Sequence, residues 1–236
     1  MKKILIIFMF LFLLTGCGKN NNELVMVTEA GFAPYEYYED GKIVGVDVDI
    51  AEEIAKKMGK KLVIKDVAFD SIINEVKSSK SDFGAAGISY SEEREKEVDF
   101  SINYTTSKQV VVIKKDSGIT IDNLDGKKIA VQLGIGDGYV TSNYKKSEIV
   151  RQKKYLQAIE DLKSDKVDCV VMDELPALEF VKVNDNLMVL DKELTSDSYG
   201  MIVKKGNTEL LNTINEVLNE LKDNGKIDEF IINHTK

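Results

Sequence analysis

Residues Asp82–Phe100 read DFGAAGISYSEEREKEVDF, a short strand that ends in small residues and is followed by a turn and a charged helix. The strand end carries Gly87 and Ser89, and Arg94, one of only two arginines in the chain, follows it. A guanidinium fixed there can bind one carboxylate through two parallel hydrogen bonds. The glycine carbonyl and the serine hydroxyl are acceptors for an ammonium group. We therefore expect this segment to hold both ends of an α-amino acid.

The chain on either side of this stretch alternates short apolar runs with helical periods, which is typical of α/β proteins with parallel sheets. Asp47 and Asp70 are expected to cap the first two helices. The predicted strands are 24–28, 62–67, 83–86, 109–114, 128–132, 167–172 and 199–203, and the predicted helices are 48–58, 71–78, 137–144, 156–163, 174–182 and 209–224.

A weak internal repeat suggests two similar lobes. The segment KSSKSD at 77–82 resembles KSDKVD at 163–168, and each follows a predicted helix and opens a predicted strand. Five residues beyond each final aspartate stand Gly87 and Asp173. Ligands of open α/β sheets bind beyond the carboxyl ends of strands, so these two residues could face one cleft from opposite lobes. The alternative is that both segments are a common polar turn between a helix and a strand.

The N-terminus has the pattern of an export signal. A basic start and an apolar run too short for a permanent membrane span are followed by Leu14–Cys17, reading LTGC. This ending resembles the lipobox of bacterial lipoproteins, which predicts a signal peptide at 1–16, a diacylglyceryl group on Cys17 and a lipid-anchored tether at 17–23. The alternative is an ordinary signal peptide with a chance cysteine.

Composition restricts the partners and the chemistry. The formal charge is −8, and loss of Lys2 and Lys3 with the signal peptide lowers it to −10, which argues against nucleic acid or an anionic lipid surface as a partner. Cys169 lies in the apolar run 167–172, so we expect a buried, inert thiol. The single histidine, His234, is expected to be a solvated tail residue. No metal site and no cofactor are predicted.

Five short motifs occur in order and at regular spacing from the first predicted strand onward. They are GFAPYEY at 31–37, GVDVDIA at 45–51, AFD at 68–70, GIS at 87–89 with Glu93-Arg94, and VDFS at 98–101. This ordered set closely resembles the polar amino acid-binding lipoproteins of ABC importers, the family 3 solute-binding proteins, which have the type II periplasmic binding protein fold. The similarity runs from about Leu24 to the C-terminus.

The resemblance implies an α/β fold made of a two-lobed clamshell with two crossover hinge strands. Lobe 1 would comprise 24–104 and 200–236, and lobe 2 would comprise 109–194. The hinges would lie at 105–108 and 195–199. Lobes joined in this way close on a ligand by a hinge motion.

The resemblance also implies which residues bind the common part of an amino acid. Arg94 matches the family arginine that binds the α-carboxylate. Gly87, Ser89 and Asp173 match the carbonyl, the hydroxyl and the carboxylate that bind the α-ammonium. From the sequence alone, Arg94 could instead be a solvated residue of a charged helix, and Asp173 could be the N-cap of the helix at 174–182.

Three aromatic residues would form the walls of the same site. Phe32 and Phe69 match the apolar or aromatic walls that sandwich the ligand side chain, and Tyr35 stands in the same motif as Phe32. The alternative is that these rings are ordinary core residues, and Tyr35 is the strongest candidate for a purely structural role.

The remaining ligand contacts are expected from a loop of lobe 2 and from the end of the first strand. Gln132 and Gly136 match the loop that helps to hold the carboxylate and the side chain, and Glu29 stands where related proteins often carry an aspartate that reaches the ligand side chain. The chain departs from the family at 134–137, where a threonine is often found, and in the greater length of Glu29. Both departures affect substrate choice.

The resemblance implies an extracellular, monomeric receptor rather than an enzyme. Anchored through its lipid to the outer face of the bacterial cytoplasmic membrane, it would capture a free amino acid and deliver it to ABC permease subunits. The site contains an acid and no evident base beyond Arg94. Because a buried side-chain carboxylate would be left unpaired, we expect a neutral polar or cationic ligand rather than glutamate or aspartate.

Three other functions are compatible with parts of this sequence. The fold also resembles that of a periplasmic cyclohexadienyl dehydratase, in which case acid chemistry would fall to Glu29 or Asp173. A ligand-binding module of a sensor or channel would need transmembrane or kinase segments, which the sequence lacks. An adhesive role on the cell surface stays open.

Overall fold

The computed structural model describes residues 21–235, so the predicted signal peptide and Cys17 lie outside the described residues. The chain forms two β-sheets, of five and six strands, and a separate two-stranded hairpin. Helices surround both sheets, which confirms the α/β class. No helix in this part of the chain is long and apolar enough to span a bilayer.

The elements follow one another as a strand–helix alternation in both halves of the chain. The strands are β1 Glu23–Thr28, β2 Tyr37–Glu39, β3 Lys42–Val44, β4 Lys61–Asp66, β5 Phe83–Gly84, β6 Val98–Phe100, β7 Thr105–Lys114, β8 Lys128–Gln132, β9 Glu148–Gln152, β10 Cys169–Asp173, β11 Leu187–Val189, β12 Thr195–Tyr199 and β13 Ile202–Lys204. The helices are α1 Val46–Lys57, α2 Ile72–Lys77, α3 Glu92–Glu95, α4 Asp137–Asn143, α5 Tyr155–Lys163, α6 Glu174–Lys182, α7 Thr208–Asp223 and α8 Lys226–His234.

Each sheet has a parallel centre and antiparallel additions. The first has the order β4-β1-β5-β13-β6, and the second has the order β11-β7-β10-β8-β9 with β12 also paired to β7. Strands β1, β4 and β5 are parallel to each other, as are β8, β9 and β10. Helix α1 contacts β4, and α2 contacts β1, β5 and β13 of the first sheet, whereas α5 contacts β8 and β10 of the second. Helix α7 packs on α1.

The chain passes between the sheets at two neighbouring strands. Residues Thr105–Gln109 of β7 pair antiparallel with Thr195–Tyr199 of β12. These segments include the predicted hinges at 105–108 and 195–199, and a hinge motion there stays a prediction. The prediction of one strand over 199–203 is wrong. The chain leaves the second sheet at Tyr199 and enters the first at Ile202, and Gly200 lies at this passage.

The internal repeat has the same structural role in both halves. Asp82 precedes β5, where its backbone N–H donates to the Val25 carbonyl at 2.8 Å and its carboxylate accepts the Val25 N–H at 2.8 Å. Asp168 precedes β10 and makes the equivalent pair with Lys128, at 2.8 and 2.7 Å. In each half the aspartate therefore joins the start of one strand to its parallel neighbour, which explains why the motif recurs.

Both predicted aspartate caps are wrong. Gly45, not Asp47, is the N-cap of α1, and the buried Asp47 carboxylate accepts the Gly87 N–H at 3.2 Å and the Tyr104 hydroxyl at 2.7 Å. Asp70 lies inside a short 3-10 turn at Phe69–Ser71 that precedes α2, so the backbone is already helical there. The Asp47 carboxylate accepts hydrogen bonds from Gly87 and Tyr104 in the core instead of capping its own helix.

His234 is not a solvated tail residue, as the sequence suggested. It ends α8, with its side chain only 16% exposed. Its Nε2 lies 2.9 Å from Asp49 Oδ2, and its Nδ1 lies 3.0 Å from the Tyr37 hydroxyl. The imidazole therefore fixes the last helix against α1 and the hairpin.

Candidate functional site

The cleft lies where the carboxyl ends of strands from both sheets meet, as expected for α/β proteins. Glu29 follows β1, and Gly87 follows β5 after two alanines. From the other sheet, Gln132 ends β8 and Asp173 ends β10. The two sides are in contact, since Gln132 Nε2 donates to Glu29 Oε2 at 3.2 Å.

Arg94 lies across the cleft, with bonds to both sides. Ser91 caps the short helix α3 by accepting the Arg94 N–H at 3.2 Å, which fixes the arginine backbone. Its Nη1 donates to the Ser89 carbonyl at 2.7 Å, and its Nη2 donates to the Gly134 carbonyl on the opposite side at 2.5 Å. The guanidinium also lies 5.4 Å from the centre of the Phe69 ring. Arg94 is thus held in place in the cleft and is not a solvated residue of a charged helix.

Phe32 and Gly87 are packed so closely that the position of each depends on the other. Gly87 has φ +53°, and a Cβ there would lie 2.5 Å from Phe32 Cε1. The Asp47 carboxylate holds the Gly87 N–H from behind. Phe32 stacks on Tyr35 at 5.5 Å and on Tyr155 at 5.8 Å between ring centres. These rings form one buried wall that extends from the core to the cleft.

Asp173 is buried and receives three neutral donors. Gln109 Nε2 donates to Oδ1 at 2.7 Å, the Tyr155 hydroxyl donates to Oδ2 at 3.0 Å, and the Tyr199 hydroxyl donates to Oδ1. Burial raises the pKa of Asp173, and these hydrogen bonds oppose that effect. Although Asp173 stands at the N-cap of α6, its side chain makes no capping bond, because the two tyrosines and the glutamine engage it instead.

Glu29 faces a lysine that the sequence did not single out. Lys154 Nζ lies 3.2 Å from Glu29 Oε1, an ion pair without the alignment of a hydrogen bond. Burial raises the pKa of Glu29, while Gln132 and Lys154 oppose the rise. The expectation of no base beyond Arg94 is therefore wrong, because the start of α5 brings Lys154 to the far side of the cleft.

The loop before α4 brings backbone rather than side chains to the cleft. Gly136 begins α4 with φ +69°, and a Cβ there would lie 3.2 Å from Gln109 Oε1. A side chain at this position would be strained and would crowd that amide. Glycine at 136 thus leaves room for Gln109.

Among the buried side-chain oxygens with no hydrogen-bond partner within residues 21–235, four belong to residues at the cleft. They are Thr28 Oγ1, Glu29 Oε1, Gln109 Oε1 and Gln132 Oε1. Unpaired buried polar groups cost free energy, so such a cluster is typical of a site that binds a polar molecule.

Four further residues complete the site, and sequence reasoning did not assign them to it. They are Gln109, Lys154, Tyr155 and Tyr199. In the sequence, Gln109 differs from the residues after it as a polar residue at the start of an apolar strand. Tyr199 is followed directly by Gly200. Lys154 and Tyr155 gave no signal, because the turn between β9 and α5 carries no motif.

Within the described residues the cleft has neither a metal-binding cluster nor a reactive thiol. Residues 21–235 hold no set of three or more histidine, cysteine or acidic side chains that could bind a metal ion. Cys169 is buried in β10, and burial raises the pKa of its thiol to about 12, which disfavours the reactive thiolate.

Two α/β sheets joined by paired crossover strands, with a guanidinium and a buried carboxylate in the cleft between them, define a binding protein of the type II periplasmic class. The chain belongs to the bacterial extracellular solute-binding proteins, family 3, whose family model matches residues 24–234.

Relatives and solved structures agree with this assignment. The arginine-binding extracellular protein ArtP of Bacillus subtilis is 33% identical over 92% of this chain and 91% of its own length. The arginine-bound amino acid ABC transporter substrate-binding protein AbpA of Streptococcus pneumoniae is 33% identical, with a TM-score of 0.86 over 91% of this chain and 94% of its own. An ancestral arginine-binding protein bound to glutamine is 37% identical, with a TM-score of 0.85 over 92% and 99%.

Proposed function

We propose that this protein is the extracellular amino-acid-binding component of an ABC importer, and that it captures a polar or cationic L-amino acid by lobe closure. The observation that carries this proposal is the pairing in one cleft of a fixed guanidinium, Arg94, with a buried carboxylate, Asp173. A guanidinium has five N–H donors, and two of those of Arg94 bind carbonyls, so others can reach a carboxylate. The two groups are complementary to the two ends of an α-amino acid.

The proposed contacts are those that the family resemblance implies. Arg94 binds the α-carboxylate, and Asp173 binds the α-ammonium together with the Gly87 carbonyl and the Ser89 hydroxyl. Phe32 and Phe69 border the ligand side chain. The relatives named for arginine and the structure bound to glutamine support an amino acid as the ligand class.

Further proposed contacts lie at the edges of the site. Gln132 and Glu29 face the far end of the ligand, and the backbone around Gly136 faces its carboxylate. Tyr35 is fully buried against Phe32 and Tyr199, so we propose that it supports the aromatic wall rather than touching the ligand.

We propose binding without covalent chemistry. The relatives and solved structures that this chain resembles are named as amino-acid-binding proteins, which supports binding over a dehydratase activity. Turnover of prephenate or arogenate by the purified protein would overturn this part of the proposal.

A thermal-shift screen over the twenty amino acids plus ornithine, citrulline and cystine tests the function. A ligand at about one hundred times its Kd stabilises the folded state by about 2.7 kcal/mol. For a chain of this size that free energy corresponds to a rise of about 5–10 °C in Tm. A protein that shows no rise with any of these compounds would contradict the proposal.

We propose that the protein acts as a monomer, held by a lipid on Cys17 at the outer face of the cytoplasmic membrane beside its permease. Cys17→Ala should release the protein from cells without changing its affinity for the amino acid, because Cys17 lies outside the cleft-forming segment. Detergent partition and calorimetry measure the two effects. Equal membrane retention of the variant and the wild type would rule out the lipid anchor.

A further inference from the structure

We propose that Lys154 sets the charge preference of the site by neutralising Glu29, so that a neutral, hydrogen-bonding side chain is selected over a cationic or anionic one. This inference rests on the proposed amino-acid-binding function. It concerns the far end of the ligand, beyond the groups held by Arg94 and Asp173.

The first observation is the ion pair across the cleft. Lys154 comes from the start of α5 beside the second sheet, and its Nζ lies 3.2 Å from Oε1 of Glu29, which follows β1 of the first. The Glu29 side chain is only 3% exposed, whereas that of Lys154 is 45% exposed and reaches in from the rim. The carboxylate that would attract a cationic ligand therefore already has a cation of its own, and the pair carries no net charge.

The second observation is that local structure does not explain a lysine at this position. Lys154 is the N-cap of α5, where its side chain makes no capping bond and where the positive end of the helix dipole disfavours a cation. Partial burial lowers the pKa of Lys154, but attraction to Glu29 and Asp66 outweighs it, so the pKa is raised. The stabilising partners of Lys154 are thus the acids of the other lobe.

Asp66 does not compete with Glu29 for this role. Its Oδ1 accepts the Ala30 N–H at 2.9 Å, and its Oδ2 accepts the Tyr38 hydroxyl at 3.2 Å. Asp66 therefore contributes charge at a distance, and Glu29 is the acid in direct contact with Lys154.

The third observation is an acceptor suited to a neutral ligand. Gln132 uses its Nε2 twice, donating to Glu29 Oε2 at 3.2 Å and to the Lys153 carbonyl at 2.9 Å. Its Oε1 is buried and has no partner among residues 21–235. An amide or ureido N–H can donate to this oxygen without bringing a charge next to the ion pair. A cationic side chain would have to displace Lys154, and an anionic one would face Glu29.

The test compares L-arginine with L-citrulline, which have nearly the same shape and differ in charge, by calorimetry at fixed ionic strength. The wild type should bind citrulline at least as tightly as arginine. Lys154→Met should shift the ratio of the two affinities toward arginine by at least about tenfold. The reason is that the coupling energy of a close charge pair in an interface is large enough to change affinity by about tenfold or more. Lys153→Met is the matched control, because it removes the neighbouring exposed lysine and the same charge.

A second variant probes the opposite sign of charge. Glu29→Gln leaves Lys154 without its anion, so the affinity for L-glutamate relative to L-glutamine should rise by at least about tenfold. Ratios that stay within about twofold of wild type in both variants would overturn the role of Lys154 while the proposed function stands. A wild-type protein that binds none of these four amino acids also overturns this inference. The proposed function is overturned as well only if no compound in the wider thermal-shift screen raises the Tm.

Discussion

Replacing Arg94 with methionine is expected to abolish most amino-acid binding while leaving the fold intact. Removing one partner of a buried, hydrogen-bonded charge pair typically costs about 2–5 kcal/mol, because the other charge is left desolvated and unpaired. At about 1.4 kcal/mol per decade, the Kd should rise by roughly thirty-fold to several-thousand-fold. Methionine keeps much of the apolar stem of the arginine side chain, so the variant should melt normally without ligand.

The measurement is a thermal shift with the amino acid that gives the largest effect on the wild type, followed by calorimetry. Lys226→Met is the matched control, since it also removes a cation, one that forms an exposed ion pair with Glu229 at 2.8 Å and does not line the cleft. Such surface pairs contribute about 0–1 kcal/mol, so the control should respond to ligand as the wild type does. An Arg94→Met variant that retained the full ligand-induced shift would remove Arg94 from the site.

Asp173→Asn is expected to cause the second large loss of affinity. The ligand ammonium would lose its buried counter-charge, and the cost should again be about 2–5 kcal/mol, or roughly thirty-fold to several-thousand-fold in Kd. The protein without ligand should be no less stable than the wild type. Burial disfavours the charge of Asp173, and the tyrosine hydroxyls can turn to accept a bond from the new amide.

Calorimetry and thermal melts of the variant without ligand separate these two effects. Asp185→Asn serves as a control with the same chemical change at an exposed position after α6. If Asp173→Asn bound the ligand with wild-type affinity, Asp173 would be a structural residue that fixes Gln109, Tyr155 and Tyr199, and the ammonium would have to bind elsewhere.

Local spacing was sufficient to predict the fold class and the segment that places Arg94 beside Ser89. The α/β architecture follows from apolar periods within single segments, and the structure and the family match confirm it. Arg94 lies near Ser89 because a cap and one helical turn separate them, which is a short-range geometry. The repeat that ends in Asp82 and Asp168 could also be recognised in the sequence. Each aspartate carboxylate accepts a hydrogen bond from a backbone N–H of the neighbouring parallel strand.

Contacts between distant segments were not predictable in this way. Asp47 looked like a helix cap, yet its partners Gly87 and Tyr104 stand 40 and 57 residues away. Asp173 likewise receives its donors from positions 18, 26 and 64 residues away. Whether a polar side chain forms a local or a distant hydrogen bond depends on its burial and on the donors that packing brings near it. Neither can be inferred from the residues next to it in the sequence.

The sequence by itself therefore determined the alternation of strands and helices, the glycine-to-arginine segment that begins the site, and the ordered motifs of the family. Only the tertiary structure decided which charges meet across the cleft. Lys154 and Glu29 are brought together by the approach of the two lobes, and no pattern near either residue marks the pairing. Periodicity reports which face of an element is buried, whereas the electrostatics of a site depends on what the opposite lobe places against that face.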